Sequence, residues 1–187
     1  MSALKTIERN DATGRTKEIF DELDRTLTRV PAMVRLMANS PAILDAYIHF
    51  NHALEQTTLS PKRRALITVA IAELTRCDYV LSIGIAIAKR QGVADDELQA
   101  ARRGRSSDDR TARTLEFATD IVRLGGRVPQ TRIHQLRREG FSDAEIVDIV
   151  GVVGLNLFRN YFNLVVDTDI DVPLVRAGEI APERERD

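Results

Sequence analysis

"LSPKRRALITVAIAELTRCDYVLSIGIAIAKRQGV", residues 59–93, is the stretch that decides the fold. Ser60-Pro61 opens it with a capping residue followed by proline at the first helical position, where the missing N–H removes no intrahelical bond. Beyond Arg63 and Arg64 the run is apolar over most of its circumference, the pattern of a helix surrounded by other helices. A second apolar run follows Cys77 and stops at Gly92. In its middle stands Gly84, where a helix interior gives up about 1 kcal/mol relative to alanine. The stretch therefore predicts two consecutive buried helices and poses two questions, why a lone cysteine stands between them and why a glycine interrupts the second.

Outward from this pair the periodicity stays helical, and no segment alternates apolar and polar residues long enough for a half-buried strand. The expected fold class is all-α, a helical bundle in one domain, 1–187, with 167–187 as an extended C-terminal arm. A first helix is expected over Ala12–Arg25 and a short one after Pro31. Ser40-Pro41 starts a third, in which Ile43, Tyr47, Phe50 and Leu54 share one stripe expected to face the core. "VADDELQAARRG" carries acids in its first turn and arginines in its last, which suits the helix dipole, and Gly104 closes it. Ser106 or Ser107 is expected to cap the next helix, and Pro129 to open a short one that ends at Gly140. Ser142 and Glu145 form a capping box for a long, largely buried helix to about Val166. The end, "DTDIDVPLVRAGEIAPERERD", lacks periodicity and is suited to wrapping a neighbouring subunit.

Composition narrows function by exclusion. The 187 residues are 43% hydrophobic, with 27 basic side chains against 28 acidic ones, one cysteine and no tryptophan. That balance gives no field to draw in nucleic acid or an anionic membrane. The first twenty residues are too charged for a signal peptide, and no run of eighteen apolar residues offers a membrane span, so a cytoplasmic location is expected. One cysteine makes no internal disulfide, no cysteine–histidine cluster has zinc spacing, and nothing implies a cofactor.

The pair of helices, with its order of features over Tyr47–Val93, resembles the carboxymuconolactone decarboxylase and alkylhydroperoxidase D-like superfamily, and "FRNYFNLVVDTDIDVP", residues 158–173, is similar to the terminal pattern of its peroxidase-related branch. The resemblance implies an all-α bundle of about six to eight helices that assembles as a homo-oligomer, trimeric or hexameric. It also implies a set of redox groups, a glutamate on the preceding helix and then cysteine, two residues, cysteine, three residues, histidine. Two thiols in one turn close a disulfide after one has reduced a peroxide, and a helix N-terminus with a neighbouring base keeps the reactive thiol ionised. Here the first cysteine is Cys77, while Val80 takes the second cysteine's place, Gly84 the histidine's and Ala65 the glutamate's. Decarboxylase-type members keep a glutamate at the Val80 position and a histidine at the Gly84 position, so their set is broken too, and Leu164 stands where a histidine often follows the terminal asparagine.

The candidate residues follow from that loss. Cys77 reads either as a small buried hydrophobe or as a thiolate held by a helix N-terminus, with Asp78 opposing ionisation. Glu73, one turn earlier, stands in for the missing base or is a paired charge. Asp45, His49 and His52 share one helix face, as proton carriers oriented by a carboxylate or as an ordinary polar surface. Two histidines without a third ligand make no metal site, and His134, among basic residues, is expected at the surface. Val80 and Gly84 suggest either an apolar, shape-selective pocket or close helix packing, with Tyr79 as hydrogen-bond donor and Tyr161 among the polar anchors. The leading expectation is a non-redox enzyme of lyase, isomerase or cyclase type on a small organic substrate, with His49 or His52 as base. The alternatives are an inactive oligomeric ligand-binding protein and a single-cysteine thiol antioxidant.

Overall fold

The computed structural model describes residues 2–26 and 29–180. Among these residues every regular element is helical: α1 Gly14–Thr26, α2 Ala32–Met37, α3 Pro41–Glu55, α4 Pro61–Leu74, α5 Asp78–Arg90, α6 Asp95–Arg102, α7 Asp109–Arg123, α8 Gln130–Arg138 and α9 Asp143–Val166, after a 3-10 turn at Arg9–Asp11. The all-α expectation holds. Nine helices stand among the described residues, one more than the range the resemblance implies.

α4 is the axis of the bundle. Ala65 to Glu73 are all buried, and α5, α6, α7 and α9 pack around it, which is why its sequence shows no polar face. α9, 24 residues long, lies across α3, α4, α5 and α7. By length and composition alone it is apolar enough to cross a membrane, but it carries Asn156, Asn160 and Asn163 on its buried side, the last two bonded to the end of α4 and to α2.

The caps follow local chemistry. Ser60 accepts a hydrogen bond from Arg63 N at 3.2 Å, whereas Ser40 makes no side-chain cap bond. The capping box at Ser142 and Glu145 is complete. The cap of α7 is Asp108, which accepts from Thr111 N at 2.8 Å. Ser106 and Ser107, the expected caps, are drawn instead to the Glu97 carboxylate at 2.5 and 3.1 Å.

The stripe expected on α3 is a second correction. Its buried face runs through Leu44, Tyr47 and Leu54, while Ile43 and Phe50 are 47% and 43% exposed. Three helices, α1, α2 and α9, pack against α3, and Leu44, Tyr47 and Leu54 are the side chains they cover. The described part of the arm, 168–180, carries no helix or strand and lies against α5, α6 and the end of α4 of its own chain. Residues 181–187 of the expected arm lie outside the described residues.

Candidate functional site

The loop between α4 and α5 is three residues long, and Cys77 serves both helices. Thr75 ends α4, Arg76 turns the chain in the left-handed region at φ 58°, and Cys77 N–H reaches back to Ala72 O at 3.0 Å. This 6→1 bond is a Schellman closure, with arginine where glycine is usual. Cys77 is then the N-cap of α5. It is 1% exposed, and burial pushes its thiol above the usual range, helped by the Asp78 carboxylate and opposed by the Val80 and Tyr79 amides. Burial wins, so this thiol is neutral near pH 7, the opposite of what a nucleophilic cysteine needs.

The positions that answer to the family's proton relay are closed. Ala65 and Val80 are buried. A Cβ built on Gly84 would lie 3.1 Å from Thr68 Cγ2 and 3.5 Å from Val69 Cγ2. The space expected to open at Gly84 is thus filled by the neighbouring helix: the glycine lets α5 approach α4, and no room for a ligand remains beside it.

The other candidates are dispersed. Tyr79 is buried, its hydroxyl accepting from Met33 N at 3.1 Å, so it ties α5 to α2. Burial raises its phenol well above the ordinary value, with the Asp171 carboxylate nearby acting in the same direction. Glu73 is buried and fully engaged, taking Arg102 Nε at 2.8 Å and Gly178 N at 2.5 Å. It is therefore a paired charge that anchors the arm. His49 is 67% exposed, with Nδ1 2.9 Å from Asp45 O and 3.4 Å from Asp45 Oδ2. The Arg15 guanidinium at 2.6 Å holds the Asp45 carboxyl below its usual range. His52 is exposed as well. In a single chain neither histidine faces an enclosed cavity shared with Cys77, because α3 turns its other side to the bundle. Tyr161 is 57% exposed on α9, and His134 lies at the surface as expected.

What the structure does gather is a polar layer that the sequence did not announce. Thr75 Oγ1 donates to Asn160 Oδ1 at 2.9 Å, and Asn163 Nδ2 reaches Met33 Sδ at 3.0 Å. From the arm, Asp171 Oδ2 accepts Ala32 N at 2.8 Å and Arg29 at 3.0 Å. Arg159 bonds Tyr47 and Asn51 across the α3–α9 contact. The spacing of Asn156, Asn160 and Asn163 on one helix face was the available signal. Arg102 and Asp171 gave none, since each meets its partner only through tertiary folding. Among the described residues no three histidine, cysteine or carboxylate side chains converge as metal ligands.

Three solved structures share this architecture. A peroxidase-related alkylhydroperoxidase AhpD core protein from Ralstonia eutropha JMP134 superposes with a TM-score of 0.83 at 18% identity, over 91% of this chain and 92% of that one. A peroxidase-related protein from Silicibacter sp. TM1040 gives 0.76 at 21% identity over 96% of both chains. A variant of the debrominase Bmp8 in complex with 2,3,4-tribromopyrrole gives 0.71 at 17% identity, over 90% and 91%. At these identities the likeness is one of fold. No curated protein matches the chain. Residues 41–123, which span α3 through α7 and include the Cys77 junction, match the carboxymuconolactone decarboxylase family. The sequence match over α3 through α7 and the shared helical architecture together support placing this chain with the carboxymuconolactone decarboxylase and alkylhydroperoxidase D-like superfamily.

Proposed function

We propose that this protein is a non-peroxidase member of its superfamily that acts on a small organic substrate as a cytoplasmic homo-oligomer. The observation that carries the reading is the packing around Gly84, with Thr68 Cγ2 at 3.1 Å from a Cβ placed there. A peroxidatic cycle needs a thiolate, a resolving thiol and a proton relay. Cys77 is buried with its thiol pushed upward, and Val80, Gly84 and Ala65 supply no relay. The debrominase similar in fold, with tribromopyrrole bound, is consistent with small organic ligands on this architecture. Acid–base chemistry of the lyase or isomerase kind would use His49, oriented by Asp45, at a site completed by a second copy.

Steady-state peroxide consumption with a dithiol reductant tests the proposal. Wild type and Cys77→Ala should be indistinguishable from each other and from buffer. Cysteine-dependent turnover would overturn it. The exposure of His49 and His52 favours a second reading, an oligomeric ligand-binding protein without catalysis. His49→Ala and His52→Ala separate the two: unchanged turnover of a compound the protein transforms removes the histidines as bases, and binding without transformation supports the second reading.

A further inference from the structure

Residues 175–178 of the arm cross the α4–α5 junction, and side chains of three helices hold their backbone. Val175 N–H donates to Ser82 Oγ at 2.9 Å, and the Ser82 hydroxyl donates to Val175 O at 3.4 Å. Arg102 Nη2 donates to Arg176 O at 2.8 Å. Ala177 N–H donates to Asp78 Oδ1 at 2.8 Å and Gly178 N–H to Glu73 Oε1 at 2.5 Å. The segment thus starts on the second turn of α5, passes its first turn and ends on the last turn of α4. Cys77, which joins those two helices, is 1% exposed.

Three elements fasten to this junction. α9 holds Thr75 through Asn160, α2 holds Tyr79 through Met33 N–H, and the arm holds Asp78 and Glu73. The first two are helices with buried faces. The arm has no helix or strand over 168–180, and its apolar side chains at Val175 and Ala177 are only partly buried. Its last fastening needs Gly178 at φ 88°, a conformation that disfavours any residue with a Cβ. Segments with few buried apolar contacts and no regular ladder open locally at a lower free energy than the whole fold. We propose that the arm is a strap over the α4–α5 junction, which lifts at 175–178 while the helices stay folded, and that this local opening is the route by which reagents reach Cys77. Access to the thiol is separate from what the thiol can do, so failure here leaves the non-peroxidase reading intact.

Iodoacetamide labelling of Cys77 in the full chain at neutral pH, run beside hydrogen exchange of the backbone amides, tests it. The opening constant of Cys77 is its labelling rate relative to the chain unfolded in urea. In wild type it should match that of the Ala177 and Gly178 amides and exceed that of the slowest α4 amides by about tenfold or more. Two substitutions separate lifting of the strap from unfolding of the bundle. Gly178→Val places a β-branched residue in a left-handed turn and should speed Cys77 labelling by about tenfold. Ser142→Ala, which removes the α9 cap, should speed α4 exchange by about fivefold and leave Cys77 labelling as it was. Labelling that tracks the α4 amides, or that accelerates in Ser142→Ala as it does in Gly178→Val, overturns the proposal. So does a Gly178→Val chain that labels no faster, whether or not its Ala177 amide exchanges faster.

Discussion

Gly84 forfeits about 1 kcal/mol of helix propensity, and Thr68 explains why it is kept. Thr68 Oγ1 donates to Arg64 O at 3.1 Å, and Cγ2 meets the bare backbone of α5. Gly84→Ala should therefore gain less than its propensity in the native background. In a Thr68→Ser background, with the methyl gone, the same change should be more favourable by about 1 kcal/mol, read as coupling in a urea-unfolding cycle. Equal effects in the two backgrounds would remove the contact as the reason for the glycine. Gly84→His, which restores the family's residue, should destabilise by about 1–3 kcal/mol or more through overpacking. From the sequence Gly84 was visibly anomalous, but ligand space and close helix approach stayed open, because Thr68 is on another helix. Cys77 was more legible: Asp78 beside it already gave the sign that opposes ionisation.

Helix boundaries were legible wherever the signal was local. The Ser142–Glu145 box, Ser60-Pro61 and the glycines after α5 and α6 all stand where the backbone needs them. The faces of helices were less so, as α3 demonstrates, because a pattern such as Ile43, Tyr47, Phe50, Leu54 says that a helix has an apolar side without saying how many neighbours cover it. Ser142→Ala should cost about 1 kcal/mol through loss of the α9 cap. The Glu145 carboxyl adds an acid dependence. Burial acts to raise it, but the bonds from Arg110 at 2.6 Å and from Ser142 outweigh burial and hold it below its usual range. A carboxylate with a depressed folded value stabilises fully above its unfolded value, and that stability is lost as pH falls through the folded one. Melting temperature followed from about pH 5 to about pH 3 should fall less steeply in Glu145→Gln than in wild type. An unchanged slope would remove Glu145 from the acid sensitivity.

On the scale of the whole chain, the apolar residues left outside are concentrated on two elements. Ile43 and Phe50 of α3, with Val150, Phe158, Tyr161 and Val165 of α9, remain exposed, and Gly154 on α9 has open space above it. Exposed apolar side chains repeated along one helix suit a surface that another molecule covers. If a second copy covers it, sedimentation should show an oligomer at micromolar concentration that Phe158→Glu dissociates. A monomeric wild type would remove the oligomer from the proposal. None of this surface was visible as such in the sequence, where Ile43 and Phe50 read as core, α9 as a largely buried helix and Tyr161 as a polar anchor.

The reading of the molecule turns on whether Cys77 is packed or poised, and its alkylation rate decides that. Iodoacetamide at neutral pH should label native Cys77 at least about a hundredfold more slowly than the same chain unfolded in urea, because reaction requires opening of a buried, neutral thiol. Native labelling as fast as the unfolded chain, or faster, would mean an accessible thiolate and would contradict the account.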